Sequence, residues 1–434
     1  MRVDSGALAR TWWAVWNSVG DPMDLPRSRK ANLLKVAQRV RTRAAVLMLR
    51  LQHALRWLLL IAAMPAVASA SWLPEIFWDP EDGMLDTSRY LASARGFLPV
   101  PIVITEPAVG YGLGAAVSYF HAPKEIDREQ HPHVAPPSIS FGFGALTENE
   151  TYGYGGGHFG VWKDDHIRYL GMIADTSINA RYYGVNAGAS IGSDLQFNGV
   201  KFNLEGDFIY QRIQFRLKET NWFIGGSYLF FDATSEFGLD IQPGPRVIIP
   251  PAFDGSFRSA GASVFVAYSG ANTIFTPSRG TEAKLEWRDY GDTWGGDFDY
   301  RVLAGELRKY IPFGEYSHLG VRLDGEFLDG DAPFFSYPYI KLRGIPALRY
   351  EGEAVVTAEL EYLWGITPRW SLVAFVGAGH ARGAARDSAK EVTEFAGGAG
   401  FRYRLARLLG LQAGLDVAVG PEDTAFYLIV GKAW

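Results

Sequence analysis

From residue 98 onward, apolar and polar side chains alternate with a period of two in most segments of the chain. In residues 281–290, for example, every second side chain is charged: Glu282, Lys284, Glu286 and Arg288. A period of two is typical of a β-strand with one apolar and one polar face. Amphipathic helical segments do not alternate with these strands, so the pattern does not favour a parallel α/β sheet.

The alternation predicts about sixteen strands. They cover residues 98–105, 109–121, 138–145, 151–162, 166–183, 201–217, 222–233, 257–269, 281–290, 297–310, 317–329, 353–365, 370–380, 393–405, 411–419 and 424–434. A short helix is expected at 85–94, before the first strand. In the segment 201–217 the apolar residues change parity between Phe208 and Ile213. This change predicts a β-bulge at 210–212, which would keep the apolar side chains on one face.

Strand length and the placement of aromatic residues separate two all-β architectures. A soluble sandwich shows the same alternation, but many of these segments have ten or more residues, and aromatics such as Tyr290, Tyr310 and Trp370 stand at their ends. Long alternating strands with aromatic ends are typical of outer-membrane barrels. Such barrels pair every backbone group and leave no edge. We therefore predict an all-β fold, a monomeric transmembrane antiparallel β-barrel over residues 98–434.

The composition excludes several other classes of protein. The 434 residues are 48% hydrophobic with a mean hydropathy of −0.03, which is too polar for a helical membrane bundle. Cysteine is absent from the sequence, which excludes a disulfide framework and a cysteine nucleophile. The net charge of −5 gives no electrostatic reason to expect nucleic-acid binding. We expect no cofactor and no enzyme activity.

One segment near the N-terminus is continuously apolar. Residues 57–67 follow Arg50 and Arg56 and precede an Ala-Ser-Ala sequence that ends at Ala70. This order is typical of a secretory signal peptide, here cleaved after Ala70. The run is shorter than the roughly 20 residues that a membrane-spanning helix needs. A buried helix is the alternative interpretation.

The signal peptide divides the chain into three predicted parts. Residues 1–70 are an Arg-rich extension with the signal peptide, and both Met1 and Met48 are candidate starts. Residues 71–97 form a short periplasmic segment. Residues 98–434 form the barrel, which we assign to the outer membrane of a Gram-negative cell.

An unusual linker connects two of the predicted strands. Residues 330–352 are far too many for a hairpin turn, which needs about two to five. The linker is rich in aromatic residues and carries the pair Arg343-Gly344 at its centre. Turn lengths assign it to the cell surface, because short turns such as 163–165 then fall on the periplasmic side. The link 121–137 is a long exception on that side.

Several motifs resemble those of the BamA/TamA family of outer-membrane barrels, and of its bacterial surface antigen branch. In chain order they are "LPVPIVITEPAVGYGLGAAVSYF", "NTIFTPSRGTEAKLEW", "RGIP", "LVAFVGAGHA", "AGFRYRL" and "FYLIVGKAW". Together they extend over residues 98–434, and their order and spacing match the family. The resemblance implies insertion into the outer-membrane lipid bilayer by the barrel-assembly machinery.

The resemblance implies that the long loop folds back into the barrel lumen and is locked there. Arg343 would pair with a carboxylate of the wall, and Gly344 would allow a tight turn. An arginine buried in a closed lumen needs such a partner, because an unpaired buried charge is costly. Glu361, on the polar face of the following strand, is the first candidate and Glu359 the second. A solvated Arg343 at a loop tip is the alternative.

Two further motifs resemble functional elements of the family. Pro277, Arg279 and Gly280 resemble its periplasmic turn motif at the entry of a strand. Phe426 and Trp434 share a parity at the end of the chain, and they resemble the C-terminal signal that the assembly machinery reads. No nucleic-acid partner is predicted.

Two departures from the family bear on function. Residues 71–97 are too few for a periplasmic POTRA module, and Gly377 stands where the family usually has an acidic residue. The resemblance implies a role in inserting or translocating protein or lipid. A porin-like diffusion channel, favoured by the charged face of the predicted strands, and a structural surface protein are the alternatives.

Two weaker motifs support no site. Residues 188–192 spell G-x-S-x-G, but the strand–turn–helix setting of a nucleophile elbow is not predicted around them. His131 and His133 could bind a metal, yet no clear third ligand accompanies them. We therefore predict no catalytic residue and no metal site.

Overall fold

The computed structural model describes residues 75–93, 96–121, 138–182, 200–238, 255–273, 275–384, 387–408, 410–422 and 424–434. The predicted signal peptide, the G-x-S-x-G motif, His131 and His133 lie outside the described residues, as do the link 122–137 and most of the long segments 184–200 and 236–256. In the described part of the chain, no helix has the length and apolar character needed to cross a membrane.

The described residues contain sixteen β-strands. They are β1 Gly96–Ile104, β2 Gly112–Phe120, β3 Ile139–Thr147, β4 Tyr152–Trp162, β5 Ile167–Tyr182, β6 Val200–Arg216, β7 Trp222–Gly238, β8 Gly255–Ser269, β9 Gly280–Tyr290, β10 Tyr300–Pro312, β11 His318–Gly330, β12 Ala354–Gly365, β13 Trp370–Ala384, β14 Asp387–Ala406, β15 Leu411–Val419 and β16 Thr424–Val430. Helix α1 (Ser88–Ser93) lies where the sequence predicts a short helix, and 3-10 turns lie at Glu75–Phe77, Asp292–Trp294 and Phe334–Ser336.

The strands form one antiparallel sheet in which each strand pairs with its neighbours in sequence. The sheet curls into a nearly closed barrel, which confirms the predicted all-β fold of about sixteen strands. Among the described strands, β1 pairs only with β2, and β16 pairs only with β15. We call the gap between β1 and β16 the seam, and its two edges present backbone groups without a strand partner.

The wall of the barrel differs in height from one side to the other. Strands β5, β6 and β7 have 16, 17 and 17 residues, whereas β1 has 9 and β16 has 7. Even-numbered strands finish at what we call the lower end, which the sequence analysis assigns to the periplasm, and odd-numbered strands finish at the upper end. The wall is therefore lowest at the seam.

The predicted alternation separates the two faces of the wall. On β12, the side chains of Leu360, Tyr362 and Trp364 are exposed on the outer face, whereas Glu359 and Glu361 are buried on the inner face. An apolar exterior with a polar interior is the arrangement that a surrounding lipid bilayer requires.

The predicted bulge in β6 is wrong. This strand pairs with β5 and β7 in unbroken register through residues 210–212. Phe202 and Leu204 face the lumen and pack against Phe334 of the long loop, whereas Phe215 is exposed on the outer face. The change of apolar parity therefore has another cause: the upper part of β6 is apolar inside because the loop covers it there.

Candidate functional site: the lumen loop and the lower mouth

The loop between β11 and β12 folds back into the lumen and first crosses to the far wall. The ring of Phe334 makes an edge contact with that of Phe202, with 5.0 Å between centroids. The ring of Phe335 stacks on Phe257 at 5.2 Å and meets Phe231 edge-on at 6.1 Å. These aromatic contacts hold the beginning of the loop against β6, β7 and β8.

The middle of the loop packs on two glycines of β13. A Cβ atom at Gly377 would lie 2.4 Å from Leu342 Cδ2, and one at Gly379 would lie 2.2 Å from Ile340 Cγ2. Both distances are far below van der Waals contact, so the loop approaches this wall only because side chains are missing there. The absence of a side chain at Gly377 thus makes room for Leu342.

Arg343 is buried in the lumen rather than solvated at a loop tip, and three carboxylates surround it. Its Nε donates a hydrogen bond of 3.0 Å to Glu359 Oε1, and Nη1 donates one of 2.7 Å to Asp416 Oδ2. Its Nη2 lies 2.7 Å from Glu361 Oε2, as an ion pair without hydrogen-bond alignment. The guanidinium also stacks on Phe375, 3.6 Å from the ring centroid.

A second arginine completes this group of charges. Arg402 Nη1 and Nη2 donate hydrogen bonds of 2.5 and 2.9 Å to the two oxygens of Asp416, and Nη2 lies 4.0 Å from Glu361. Asp416 is wholly inaccessible to solvent. We call these five side chains the lumen cluster: Arg343, Glu359, Glu361, Arg402 and Asp416. The sequence analysis did not name Asp416 as a partner.

Gly344 brings the loop to one side of the seam. Its φ angle of 94° lies in the region that favours glycine. A Cβ atom there would lie 2.9 Å from the backbone nitrogen of Gly420, in the turn between β15 and β16. The Gly344 N–H donates a hydrogen bond of 2.9 Å to the hydroxyl of Tyr427 on β16.

The following residues of the loop reach the other side of the seam. The Ala347 N–H donates a hydrogen bond of 3.2 Å to Glu106 Oε1, in the turn between β1 and β2. Burial raises the pKa of the Glu106 carboxyl, although N–H donors from Ala347 and Ala108 act in the opposite direction. The loop therefore contacts β16 on one side of the seam and the turn that follows β1 on the other.

The predicted turn motif lies at the lower mouth, between β8 and β9. Pro277 is fully buried, whereas Arg279 is exposed. The side-chain oxygen of Asn272 accepts hydrogen bonds from the backbone N–H groups of Ser278 and Arg279, at 3.1 and 3.2 Å. Gly280 has a φ of 114°, which favours glycine. The motif thus shapes a turn, and the charge of Arg279 is left at the surface.

The C-terminal tail, residues 431–434, turns into the barrel at the lower mouth. Phe426 is exposed on the outer face, as the alternation predicts. The prediction that Phe426 and Trp434 lie on the same face of a strand is wrong. Strand β16 ends at Val430, and Gly431, with a φ of 85°, bends the chain inward. The assembly role of the two aromatics stays a prediction.

Contacts with the opposite wall hold this tail in place. The Trp434 ring stacks on Tyr310 of β10 with 5.9 Å between centroids. A Cβ atom at Gly320 of β11 would lie 2.5 Å from the Trp434 ring. Lys432 Nζ lies 2.7 Å from Glu282 Oε1 on β9.

The segment 75–93 binds under the lower end through a second arginine held by three carboxylates. Arg369, in the turn between β12 and β13, is only 3% exposed. It lies 2.5 Å from Asp79, 2.6 Å from Asp82 and 2.5 Å from Asp86. Arg407, in the next lower turn, lies 3.1 Å from Asp79. We call these five side chains the rim cluster.

Backbone contacts and pKa values show how tightly this segment is held. The Thr87 N–H donates a hydrogen bond of 2.7 Å to the Leu405 carbonyl. Hydrogen bonding to Arg369 holds the pKa of Asp82 below its usual value. Burial alone would raise the pKa of Asp86, but hydrogen bonds from Ser88 and Arg369 outweigh it and keep that pKa low. Asp82 and Asp86 therefore serve as anions that bind arginine. Within the described residues, no group of His, Asp and Glu side chains is arranged to hold a metal ion.

Comparisons with known proteins support the fold. No protein-family model matches the chain, and no curated protein matches its sequence. The structure of BamA from Haemophilus ducreyi lacking POTRA domains 1–3 is similar, with a TM-score of 0.51 and 12% identity over 78% of this chain and 70% of that one. CdiB from Acinetobacter baumannii is similar with a TM-score of 0.50 and 9% identity, over 77% of this chain and 59% of that one. At these identities the similarity shows the barrel fold alone.

Proposed function

We propose that this barrel acts in the outer membrane by passing protein or lipid sideways through the seam, as a BamA/TamA-like surface antigen protein without enzyme chemistry. The observation that carries the proposal is the seam itself, whose two edges are unpaired and whose two sides are both contacted by one loop. Unpaired strand edges are templates for a further strand. A loop that bridges them through Tyr427 and Glu106 can hold the seam shut and release it.

The low wall at the seam supports the same proposal. The 7 residues of β16 span less of the bilayer than the 16 or 17 of the opposite strands. A short hydrophobic wall thins the bilayer next to it, at a cost of fractions of a kcal/mol per Å. Lipid disturbed in this way lowers the barrier for a substrate that leaves the lumen through the wall.

The occupied lumen argues against a diffusion channel, whereas a structural surface protein is distinguished by depletion. Phe334 and Ile340 pack against opposite walls of the barrel, so the loop crosses the space that a diffusion channel keeps open. A channel would conduct steadily in planar bilayers, whereas the proposal predicts small conductance. A purely structural surface protein would leave the protein and lipid content of the outer membrane unchanged on depletion.

A crosslink across the seam tests the proposal directly. The chain has no cysteine, so Val103→Cys on β1 and Leu428→Cys on β16 can be joined by a bifunctional thiol reagent. We expect depletion of the protein to change the protein or lipid content of the outer membrane, and the reduced double variant to restore it. The crosslinked form should fail to do so.

A matched pair of cysteines within the wall serves as the control. Val103 and Leu113 face each other in the register of β1 and β2, which are already paired. Joining V103C to L113C should leave function intact. Full function of the V103C and L428C crosslink would refute passage through the seam.

A further inference from the structure

A row of hydrogen-bonded polar side chains crosses the outer face of β2, β3 and β4 near their lower ends. Ser140 Oγ lies 2.8 Å from His121 Nε2 and 2.9 Å from His158 Nδ1. We call these three residues the His–Ser–His row. Tyr119, the register partner of Ser140, and Trp162, on the same face of β4 as His158, are exposed on the outer surface, so the row faces lipid.

Polar side chains on this face of a barrel require an explanation. Charged or polar groups that face hydrocarbon are destabilising, and ionisable residues in membrane segments are a reason to look for function. Within the row, only one nitrogen of each imidazole makes a hydrogen bond. Among the residues that the structure describes, His121 Nδ1 and His158 Nε2 have no hydrogen-bond partner.

The chemistry of the row favours an anionic partner. The Ser140 hydroxyl donates to one imidazole and accepts from the other, whichever way the chain of hydrogen bonds runs. The neutral row therefore presents one donor and one acceptor outward. One added proton turns both outward nitrogens into donors, and these equal in number the two non-bridging oxygens of a phosphodiester, which carry the opposite charge. The other described titratable side chains beside the row on this face are Tyr119 and Tyr169.

The wall above the row is flat. Gly142, Gly144 and Gly156 face outward there, and Gly142 pairs with Gly156. The nearest heavy atom to a Cβ atom at Gly142 or Gly144 would lie at 3.7 or 3.9 Å, an ordinary van der Waals contact, so the surface in front of these two glycines is not crowded. Exposed Tyr154 borders this strip. A strip without side chains, bounded by aromatics, fits an extended acyl chain.

We propose that the His–Ser–His row binds the phosphate of a phospholipid whose acyl chain lies along the glycine strip. This proposal is independent of passage through the seam, because the row is on the outer face of the wall and the loop lies in the lumen. It assigns a specific lipid site to a wall that would otherwise contact lipid without preference.

Native mass spectrometry of the delipidated full chain in detergent tests this site. Phosphatidylglycerol should bind the wild type at least about tenfold more tightly than diacylglycerol of the same chains, because a hydrogen bond to a charged group is worth about 1.5–3 kcal/mol. The double variant H121F/H158F should lose that preference. His380→Phe is the matched control, since His380 bonds a hydroxyl, Thr393 Oγ1, at 2.8 Å on the exposed upper part of β13.

Three results would overturn the proposal. They are equal retention of phosphatidylglycerol by the double variant and the wild type, equal binding of the two lipids, and displacement of the phospholipid by inorganic phosphate at similar concentration. If the double variant does not fold, diethyl pyrocarbonate labelling of the wild type decides instead. Phosphatidylglycerol, and not diacylglycerol, should protect His121 and His158, and absence of protection refutes the site.

Discussion

Two arginines in this protein are each held by three carboxylates, and the two groups are built in opposite ways. In the lumen cluster the arginine belongs to a loop, and the acids belong to strands β12 and β15. In the rim cluster the arginine belongs to the barrel, and the acids lie within residues 79–86 of a separate segment. In each group a segment outside the sheet is bound to the wall of the barrel, but the segment carries the positive charge in the lumen cluster and the negative charges in the rim cluster.

The surroundings of the two clusters also differ. Asp416 is wholly buried and shared by two arginines, so it keeps no access to water. In the rim cluster the side chain of Asp82 is 31% exposed, and Glu81, next to Arg407, is 68% exposed. Losing Arg343 therefore leaves three buried carboxylates with one counter-ion fewer, because among the described residues only Arg402 and Arg322 remain beside them. Losing Arg369 lets the segment 75–93 detach and hydrate its own acids.

The largest effect is expected for Arg343→Ala. Removing one partner from a buried charge group costs about 3–5 kcal/mol. The loop should become sensitive to protease, and the urea midpoint of unfolding, followed by heat-modifiable gel mobility, should fall. Arg279→Ala, which removes an exposed arginine at the lower end, is the control and should change neither. A protease-resistant loop in R343A would show that the aromatic contacts alone hold it.

A slightly smaller effect is expected for Asp416→Asn, and it should exceed that of Glu361→Gln. Asp416 accepts hydrogen bonds from both arginines, whereas Glu361 makes only ion-pair contacts with them. We expect a loss of about 3 kcal/mol for D416N and about 1–2 kcal/mol for E361Q. Urea unfolding measures both. The double variant R343A/D416N should be less than additive, since the residues interact directly. Equal losses for the two acids would contradict this ranking.

Arg369→Ala should cost less, about 1–2 kcal/mol, because its aspartates can reach water after release. The expected result is rapid proteolysis within residues 75–93 while the barrel stays folded. High salt should increase the difference between the rim cluster and the lumen cluster, because the electrostatic screening length is only about 3 Å at 1 M. High salt should loosen the segment in the wild type and leave the lumen loop protected. Protection of residues 75–93 in R369A would assign the binding to the backbone contacts instead.

Acid should release the same segment. The pKa values of Asp82 and Asp86 are lowered in the folded state, so their contribution is complete above the ordinary aspartate pKa of about 3.9. It is lost as the pH falls through the lowered values. Pepsin cleavage within residues 75–93 should therefore rise as the pH falls below about 4. In R369A this rise should disappear, and a persistent rise would point to other acidic groups.

The smallest effect is expected for Glu422→Ala, where the loop meets the turn between β15 and β16. Arg349 Nε donates hydrogen bonds of 2.9 Å to both oxygens of Glu422, but that carboxylate is 42% exposed. Exposed ion pairs contribute about 0–1 kcal/mol. E422A should thus unfold at nearly the wild-type urea concentration. A loss as large as that of R343A would show that burial does not set the order of these effects.

The sequence predicts correctly which face of a strand a side chain occupies, because this depends only on the local period of two. The parity of β12 places Glu359 and Glu361 on the inner face, and the structure has them there beside Arg343. Asp416 is harder to predict, because it is the single charged residue of a short strand far along the chain from Arg343. The inner aromatics of β6 mislead for a similar reason, since only the folded loop makes that lumen surface apolar.

The position of Trp434 cannot be predicted from the alternation of side chains alone. The alternation places Trp434 on the same face as Phe426 only if the strand continues to the last residue. Strand β16 ends at Val430, and the chain bends at Gly431. A glycine near the end of a strand is a sequence signal for such a bend. The direction of the bend depends on Tyr310 and Gly320, which are distant in sequence.

The inward course of residues 431–434 imposes an order on folding. Trp434 rests on β10 and β11, so its binding surface exists only after the sheet has curled far enough to bring these strands opposite β16. Contacts between distant parts of a chain form late, because the intervening loop must first be closed. Burial of this indole therefore follows the curling of the wall. A partly formed barrel therefore carries an unbound aromatic tail at its lower mouth. In the complete barrel this tail is packed inside, against β10 and β11.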